Sequence, residues 1–196
     1  MAGSISFIFD EGKAAEAASY ILSLNGGRMN YMKMIKLLYI ADRVSLSRYF
    51  YPITTDCYFS LKLGPVPSNI LDCITYADER ESNTPWNEAI ERCGYDVKQK
   101  KPFRQYFTSM EELDTLREVY DSYKKYDQFN LSEISHKFPE WSDPGNSRKP
   151  ISIEDILQAT IKDDKTREEA IKQLQMTSHL KNMSYLNLQE LMGAEN

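Results

Sequence analysis

The side chains able to do chemistry are few and scattered. His136 has Glu133, Glu140 and Trp141 near it in sequence. Such a histidine serves as a general base only when a nucleophile or metal is partnered to it. The sequence shows no such partner, so a structural histidine hydrogen-bonded at a helix end is the preferred reading. His179 has no suggestive neighbours. Cys57, Cys73 and Cys93 form no C-x-x-C pair, which leaves little case for zinc or a disulfide. They read as three reduced, mostly buried thiols. Gly26-Gly27 precedes a helix, as at an anion site, but nothing completes a phosphate motif, and a helix-hairpin turn is the simpler reading. The sequence carries no phosphate loop, dinucleotide fingerprint, nucleophile elbow, zinc-protease helix or calcium loop. No metal and no cofactor is expected.

Two basic arrays remain. Lys33, Lys36, Ile40 and Arg43 fall within about 80° of one another at about 100° per helical residue, with Tyr39 and Asp42 flanking them. This narrow strip reads first as a solvated face and second as a contact surface for an acidic partner or a phosphate backbone. Lys98, Lys100, Lys101 and Arg104 interleave with Phe103, Tyr106 and Phe107, as in some single-strand binders. The chain as a whole is acidic, with a net charge of −5 and a pI near 5.2. That disfavours nucleic acid as a partner, and a strand edge guarded by lysines is preferred.

The element that must position the first array is Asn30–Asp42. Between Tyr31 and Ala41 only Lys33 and Lys36 are plainly polar. The run is too long for a typical strand and rich in helix formers. Asn30 caps it, and the helix is expected to continue to about Arg48, apolar over most of its circumference and surrounded by other helices. Before it, Asp10 caps a helix over Glu11–Leu24, whose inward stripe is Ala14, Ala17, Ala18, Ile21 and Leu24. After it, Tyr49–Leu63 alternates aromatic and β-branched residues, a strand signal, and Gly64-Pro-Val-Pro67 breaks the strand. Helices are expected from Ser68 to about Ala77 and from Thr84-Pro85 to about Arg92. One or two short strands follow in Tyr95–Phe107, expected to pair with the strand near Tyr58. A capping box at Ser109–Glu112 opens a helix to about Tyr126. Short helices follow at Asn130–His136 and Ile153–Thr160, separated by a loop over Ser142–Lys149. A last helix runs from Lys165 to about Leu180. From about Lys181 the chain is expected to fray or to dock on a partner.

The length of 196 residues favours one domain, and the apolar and charged fractions of 41% and 27% are ordinary for a globular protein. Thirteen tyrosines are many; they read mainly as rings half-buried at core edges, with a contact surface as the alternative. No apolar run approaches the roughly 20 residues of a membrane span. The patch Ile5–Phe9 is short and runs into Asp10-Glu11, unlike a signal peptide, so a cytoplasmic location is expected. The fold class expected is mainly α, a compact helical domain around a buried helix with a small β element.

The stretch Met29–Asp42, and within it Lys36-Leu-Leu-Tyr-Ile-Ala-Asp42, resembles the signature helix of the Panacea (SocA/GepA-like) domain family. Tyr51-Pro-Ile-Thr54 matches the family's next segment. The aromatic strand Tyr58–Leu63 and the turn Gly64-Pro-Val66 follow in order, then Leu131–His136 and Trp141. Leu63 stands where the family often has an aromatic residue, a substitution tolerable at a packing position. The resemblance covers about residues 10–160. A Panacea-like domain is accordingly expected over 1–160, with a C-terminal helical extension over 161–196 packed on it.

The resemblance implies an antitoxin, encoded beside a toxin, often on phages or mobile elements, and neutralising a cognate protein toxin by complex formation. It also allows a proteolytic adaptor that delivers the toxin to an ATP-dependent protease. Neither role needs a catalytic residue, and a nucleic-acid-binding regulator is the remaining alternative. The residues expected to meet the partner are Lys36, Tyr39, Asp42 and Arg43 on the helix, and Tyr58, Lys62, Gly64 and Pro65 at the strand and turn. For the second group a packing role is at least as well supported. His136 and Trp141 are assigned to structure.

Overall fold

The computed structural model describes residues 5–193. Among them, helices dominate and two small antiparallel sheets are set between them. In chain order the elements are α1 (Glu11–Leu24), β1 (Arg28–Asn30), α2 (Tyr31–Tyr49), β2 (Tyr58–Leu61), β3 (Gly64–Pro67), α3 (Ser68–Thr75), α4 (Pro85–Ala89), β4 (Ile90–Cys93), β5 (Asp96–Gln99), α5 (Met110–Tyr123), α6 (Gln128–Ser135), β6 (Lys149–Ile151), α7 (Ile153–Thr160) and α8 (Asp164–Gly193).

The helix starts follow the caps. Asp10 accepts from Lys13 N, Asn30 from Met32 N and Lys33 N, and Thr84 from Asn87 N. Ser109 with Glu112 and Ser152 with Asp155 form complete capping boxes. Each supplies an acceptor to amides that the first helical turn leaves free. Helix α2 packs against α1, α3, α5, α6 and α7 and against β1 and β3. The larger apolar core joins α1, α2, α3 and α5 with Trp86, Ile90 and Val97. A second cluster gathers Ile5, Tyr39, Leu46, Tyr58, α7 and the start of α8.

The strand pairing differs from the expectation. β5 pairs with β1 and β4, in register Met29↔Val97 and Arg92↔Val97, not with the strand near Tyr58. β2 instead lies between β3 and β6. The segment read as a turn, and a short stretch that begins at the last residue of the expected loop, are strands here. Gly64–Pro67 folds back on β2 with Leu61 opposite Gly64, and Lys149–Ile151 pairs with Tyr58–Ser60. The helix expected to reach Arg92 ends at Ala89, because Ile90 turns extended (φ −134°, ψ 140°) and joins β5. At the other end, α8 runs past Leu180 to Gly193. Its first half packs on α7. Farther along, Asn182 accepts from Ile8 N (2.9 Å) and donates to Ser6 O (3.0 Å), tying the start of the chain to the helix. Among the described residues, no helix is long and apolar enough to cross a membrane.

Candidate functional site

The signature residues converge on the β2–β3 hairpin and on the loop that leads into it. Helix α2 supplies two neighbouring faces. Lys36, Tyr39 and Arg43 recur at helical spacing on one, and Asp42 lies on the next.

Asp42 is fully buried. One carboxylate oxygen accepts from Ile53 N (2.8 Å) and Thr54 N (2.9 Å), the other from the Tyr58 hydroxyl (3.0 Å) and the Thr54 hydroxyl. It thus fixes the segment between α2 and β2, two residues of which, Phe50 and Thr55, hold left-handed φ values of 53° and 52°. A β-branched threonine rarely adopts that geometry. Asp56 holds the far side, accepting from Cys57 N, Asn69 N and Ile70 N at 2.7–2.9 Å, and thereby supplies the acceptor at the start of α3, where Pro67 and Ser68 make no side-chain cap. Burial pushes both carboxyls up to about 6, in spite of the donors around them. It also pushes the Tyr39 and Tyr58 phenols well above their usual range, helped by Glu140 and Asp42 respectively.

Lys36 is 1% exposed, and its Nζ donates to Pro65 O at 2.8 Å. Burial lowers its pKa to about 7, and the amine can donate this bond with or without its extra proton. Two further carbonyls of the same hairpin are held in the same way. Trp141 Nε1 donates to Leu61 O (3.1 Å) and Ser132 Oγ to Leu63 O (2.8 Å). Three alternate carbonyls, those of residues 61, 63 and 65, are therefore tied to α2, α6 and the segment after α6. Gly64 sits inside this grip at φ +97°, where an added Cβ would lie 2.9 Å from Lys36 Nζ and collide with Ser135 Oγ. The positive φ falls on Gly64 and not on Lys62 or Leu63, as in a hairpin closed by a glycine bulge. The tip residues Lys62 and Leu63 remain outside, with Leu63 47% exposed.

The outer side of α2 meets Glu140. Its buried carboxylate accepts from Tyr39 OH (3.0 Å) and Arg43 Nε (2.7 Å) on one oxygen. Its other oxygen and His136 Nε2 are buried without a hydrogen-bond partner among the described residues. Arg43 also lies over Phe138, 4.4 Å from the ring centre, and keeps 21% of its side chain exposed. The His136 ring stacks on Trp141 at 4.2 Å. His136 caps the end of α6, Trp141 lies in the segment after it, and Trp141 holds the hairpin at Leu61 O.

The strip expected on α2 as a solvated or partner-facing surface is thus an interior one. Lys36, Tyr39 and Asp42 point into protein, because a backbone carbonyl satisfies Lys36, a carboxylate Tyr39, and amides and hydroxyls Asp42. Tyr58, Gly64 and Pro65 are buried too; of the eight expected contact residues, Lys62 and part of Arg43 reach solvent. Leu63 is a tip residue and not a packing one. Glu140, Asp56, Ser132 and Ser135 join the cluster without having been singled out. Glu140's position beside Trp141 was the one available signal; the Ser132 hydroxyl bonds a distant hairpin carbonyl and the Ser135 hydroxyl bonds back within α6, and neither leaves one.

The second basic array is largely spoken for. Lys98 pairs with Glu91 (3.3 Å), Lys101 with Glu88 (3.2 Å), and Lys100 donates to Asn87 O (2.6 Å). Phe103 packs on Tyr20 at 4.9 Å, while Tyr106 and Phe107 stand 69% and 62% exposed. The loop carrying them is pinned by buried Glu16, which accepts from Tyr106 N, Phe107 N and Thr108 N. A groove of about 550 Å³ runs beside that loop, lined by Gly12, Ala15, Pro85, Phe103 and Phe107 among others; the hairpin cluster is elsewhere. Among the described residues, no group of three or more His, Cys, Asp or Glu is placed to hold a metal ion.

Helix α2 thus buries a lysine and an aspartate that separately hold the hairpin and the loop leading into it, and comparison with known families gives this arrangement a place. The family described as antitoxin SocA-like, Panacea domain, matches residues 34–142. The chain belongs to that family. The match begins in α2 and ends just after Trp141, so it spans the whole hairpin grip. No curated protein and no solved structure matches the chain.

Proposed function

We propose that the chain is the antitoxin of a toxin–antitoxin pair and neutralises a cognate protein toxin by direct binding, without catalysis. Membership of the antitoxin SocA-like family supports the pairing with a toxin. The observation that carries the binding reading is the hairpin held at the carbonyls of residues 61, 63 and 65. The grip leaves a cation and an apolar side chain, Lys62 and Leu63, on a rigid projection. A preordered loop loses little entropy when it docks, and an exposed leucine beside a lysine suits a protein surface better than a phosphate backbone.

In this reading Lys62, Leu63 and the exposed part of Arg43 touch the toxin. Lys36, Tyr39, Asp42, Tyr58, Gly64 and Pro65 set the position of the tip, and His136 and Trp141 support it. The test is co-expression with the protein encoded by the neighbouring reading frame, followed by co-purification. The expected result is restored growth and a stoichiometric complex. A Lys62→Glu/Leu63→Asp variant is expected to fold normally and to lose both. Full neutralisation by that variant would place the contact elsewhere. A toxin that stays active in the purified complex until an ATP-dependent protease is added would replace occlusion by delivery.

A further inference from the structure

Helix α8 carries two contrasting faces. One face packs on its own chain: Ala170, Leu174 and Ser178 are buried, and Asn182 clasps the backbone of Ser6 and Ile8. These residues recur every fourth position. Half a turn away lies a second row, Met176, Leu180 and Met183, exposed by 67%, 55% and 48%. At about 100° per residue the three fall within about 60° of each other. Apolar side chains grouped in this way on a monomer's surface mark an interaction site.

The spacing names the occupant. Gln173, Met176, Leu180, Met183 and Asn187 follow one another by three, four, three and four residues, the seam of a two-stranded coiled coil with Gln173, Leu180 and Asn187 at a and the two methionines at d. Over residues 173–187 the seam is apolar in the middle and has amides at both ends; the next d positions in the sequence, Glu169 and Glu190, bound it. In a parallel pair each seam residue meets its own counterpart, so amide meets amide and methionine meets methionine. An asparagine at an a position is a known device for setting a two-stranded register. The flanking positions agree. Lys172 and His179 at g oppose Thr177 and Ser184 at e of the other strand, so no like charges face each other. No carboxylate lies along seam or flank between residues 172 and 187, which leaves a basic partner nothing to pair with. A surface that is self-similar, neutral and in heptad spacing fits a second copy of this chain.

We propose that α8 pairs two copies of the protein through a parallel, two-fold seam at Gln173–Asn187. This surface lies outside residues 34–142, the stretch shared with the antitoxin family, and the proposal does not depend on the toxin-binding reading.

The test is sedimentation of the full chain over about 1–200 µM, where a weak dimer shows as a concentration-dependent mass. The wild type is expected to shift to twice the monomer mass. Leu180→Glu/Met183→Glu is expected to remain monomeric, a loss of at least about 100-fold in affinity. Its thermal melt at low concentration should be unchanged, since both side chains are exposed in the single chain. As a second measurement, Leu180→Cys in a Cys57→Ser/Cys93→Ser background should oxidise to a cross-linked dimer, because like residues meet across the seam. Lys181→Cys, which points off the seam, should not. A wild type that is monomeric throughout, a double variant that still dimerises, or equal cross-linking at both positions overturns the proposal.

Discussion

Helices α2 and α8 break the usual distribution of polar and apolar side chains in opposite directions. α2 carries Lys36 and Asp42 inward, where they are 1% and 0% exposed. α8 carries Met176, Leu180 and Met183 outward on the face its own chain leaves open. The difference teaches what each irregularity is for. A buried ion is costly unless it is paired or hydrogen-bonded. Asp42 meets four donors, and Lys36 closes a hairpin that no backbone ladder holds on that side. Their work is internal: they shape a loop and a tip. Among the described residues none covers the exposed apolar row, and the proposed pairing gives it a partner outside the chain. The family match divides along the same line, including α2 from residue 34 and stopping before α8.

The largest effect expected from this contrast is at Asp42. Asp42→Ala strands the buried amides of Ile53 and Thr54 and the Tyr58 hydroxyl, and should lower unfolding free energy by about 3–5 kcal/mol, read by urea denaturation. A loss under about 1 kcal/mol would mean that the loop is held by something else.

Gly64→Ala comes next. It combines a φ of +97° with contacts to Lys36 Nζ and Ser135 Oγ, and should cost about 2–3 kcal/mol. Gly26 offers the control: its φ is +74° with open space around it, so Gly26→Ala should cost only about 1 kcal/mol. Equal losses at both sites would remove the argument for a tight hairpin grip.

A third expectation concerns pH. Folded Lys36 gives up its proton near pH 7, its unfolded counterpart near 10.5. Between those values the unfolded chain binds the extra proton, so stability contributed by this group rises with pH and is level below about 7. Asp42 runs the other way. Its carboxyl is held up to about 6 from 3.8, so the folded chain keeps a proton that the unfolded one has lost, and stability falls as pH rises from about 4 to 6. Lys36→Met should therefore flatten the stability profile between about pH 7.5 and 9.5, removing a slope of up to about 1.4 kcal/mol per pH unit. An unchanged profile would show that Lys36 is hydrated.

The smallest effect is expected on α8. Leu180→Glu should change the stability of the dilute chain by less than about 0.5 kcal/mol, measured by thermal melting. A large loss would mean that this face packs on its own chain after all and would erase the contrast with α2.

Much of the local structure was determined by short sequence signals. Asp10, Asn30, Ser109 and Ser152 each mark the residue before a helix, because a cap acts over three or four residues and carries its own acceptor. The run Lys36–Asp42 marked helix α2 and, with Tyr51–Thr54, Tyr58–Val66, His136 and Trp141, the family. What the chain by itself did not determine is which of these pieces face each other. Lys36 reaches a carbonyl 29 residues on, and Arg43 a carboxylate 97 residues on. A polar strip on a helical wheel reads the same whether water or buried carbonyls satisfy it. Strand pairing fails for a related reason: β5 has an alternation that suits either sheet, and its place between β1 and β4 follows from how Gly26-Gly27 and Gly94 turn the chain. Periodicity records which side chains share a face. Only the packing of distant elements decides what that face meets, and it is this that turned an expected contact strip into the support of a hairpin tip.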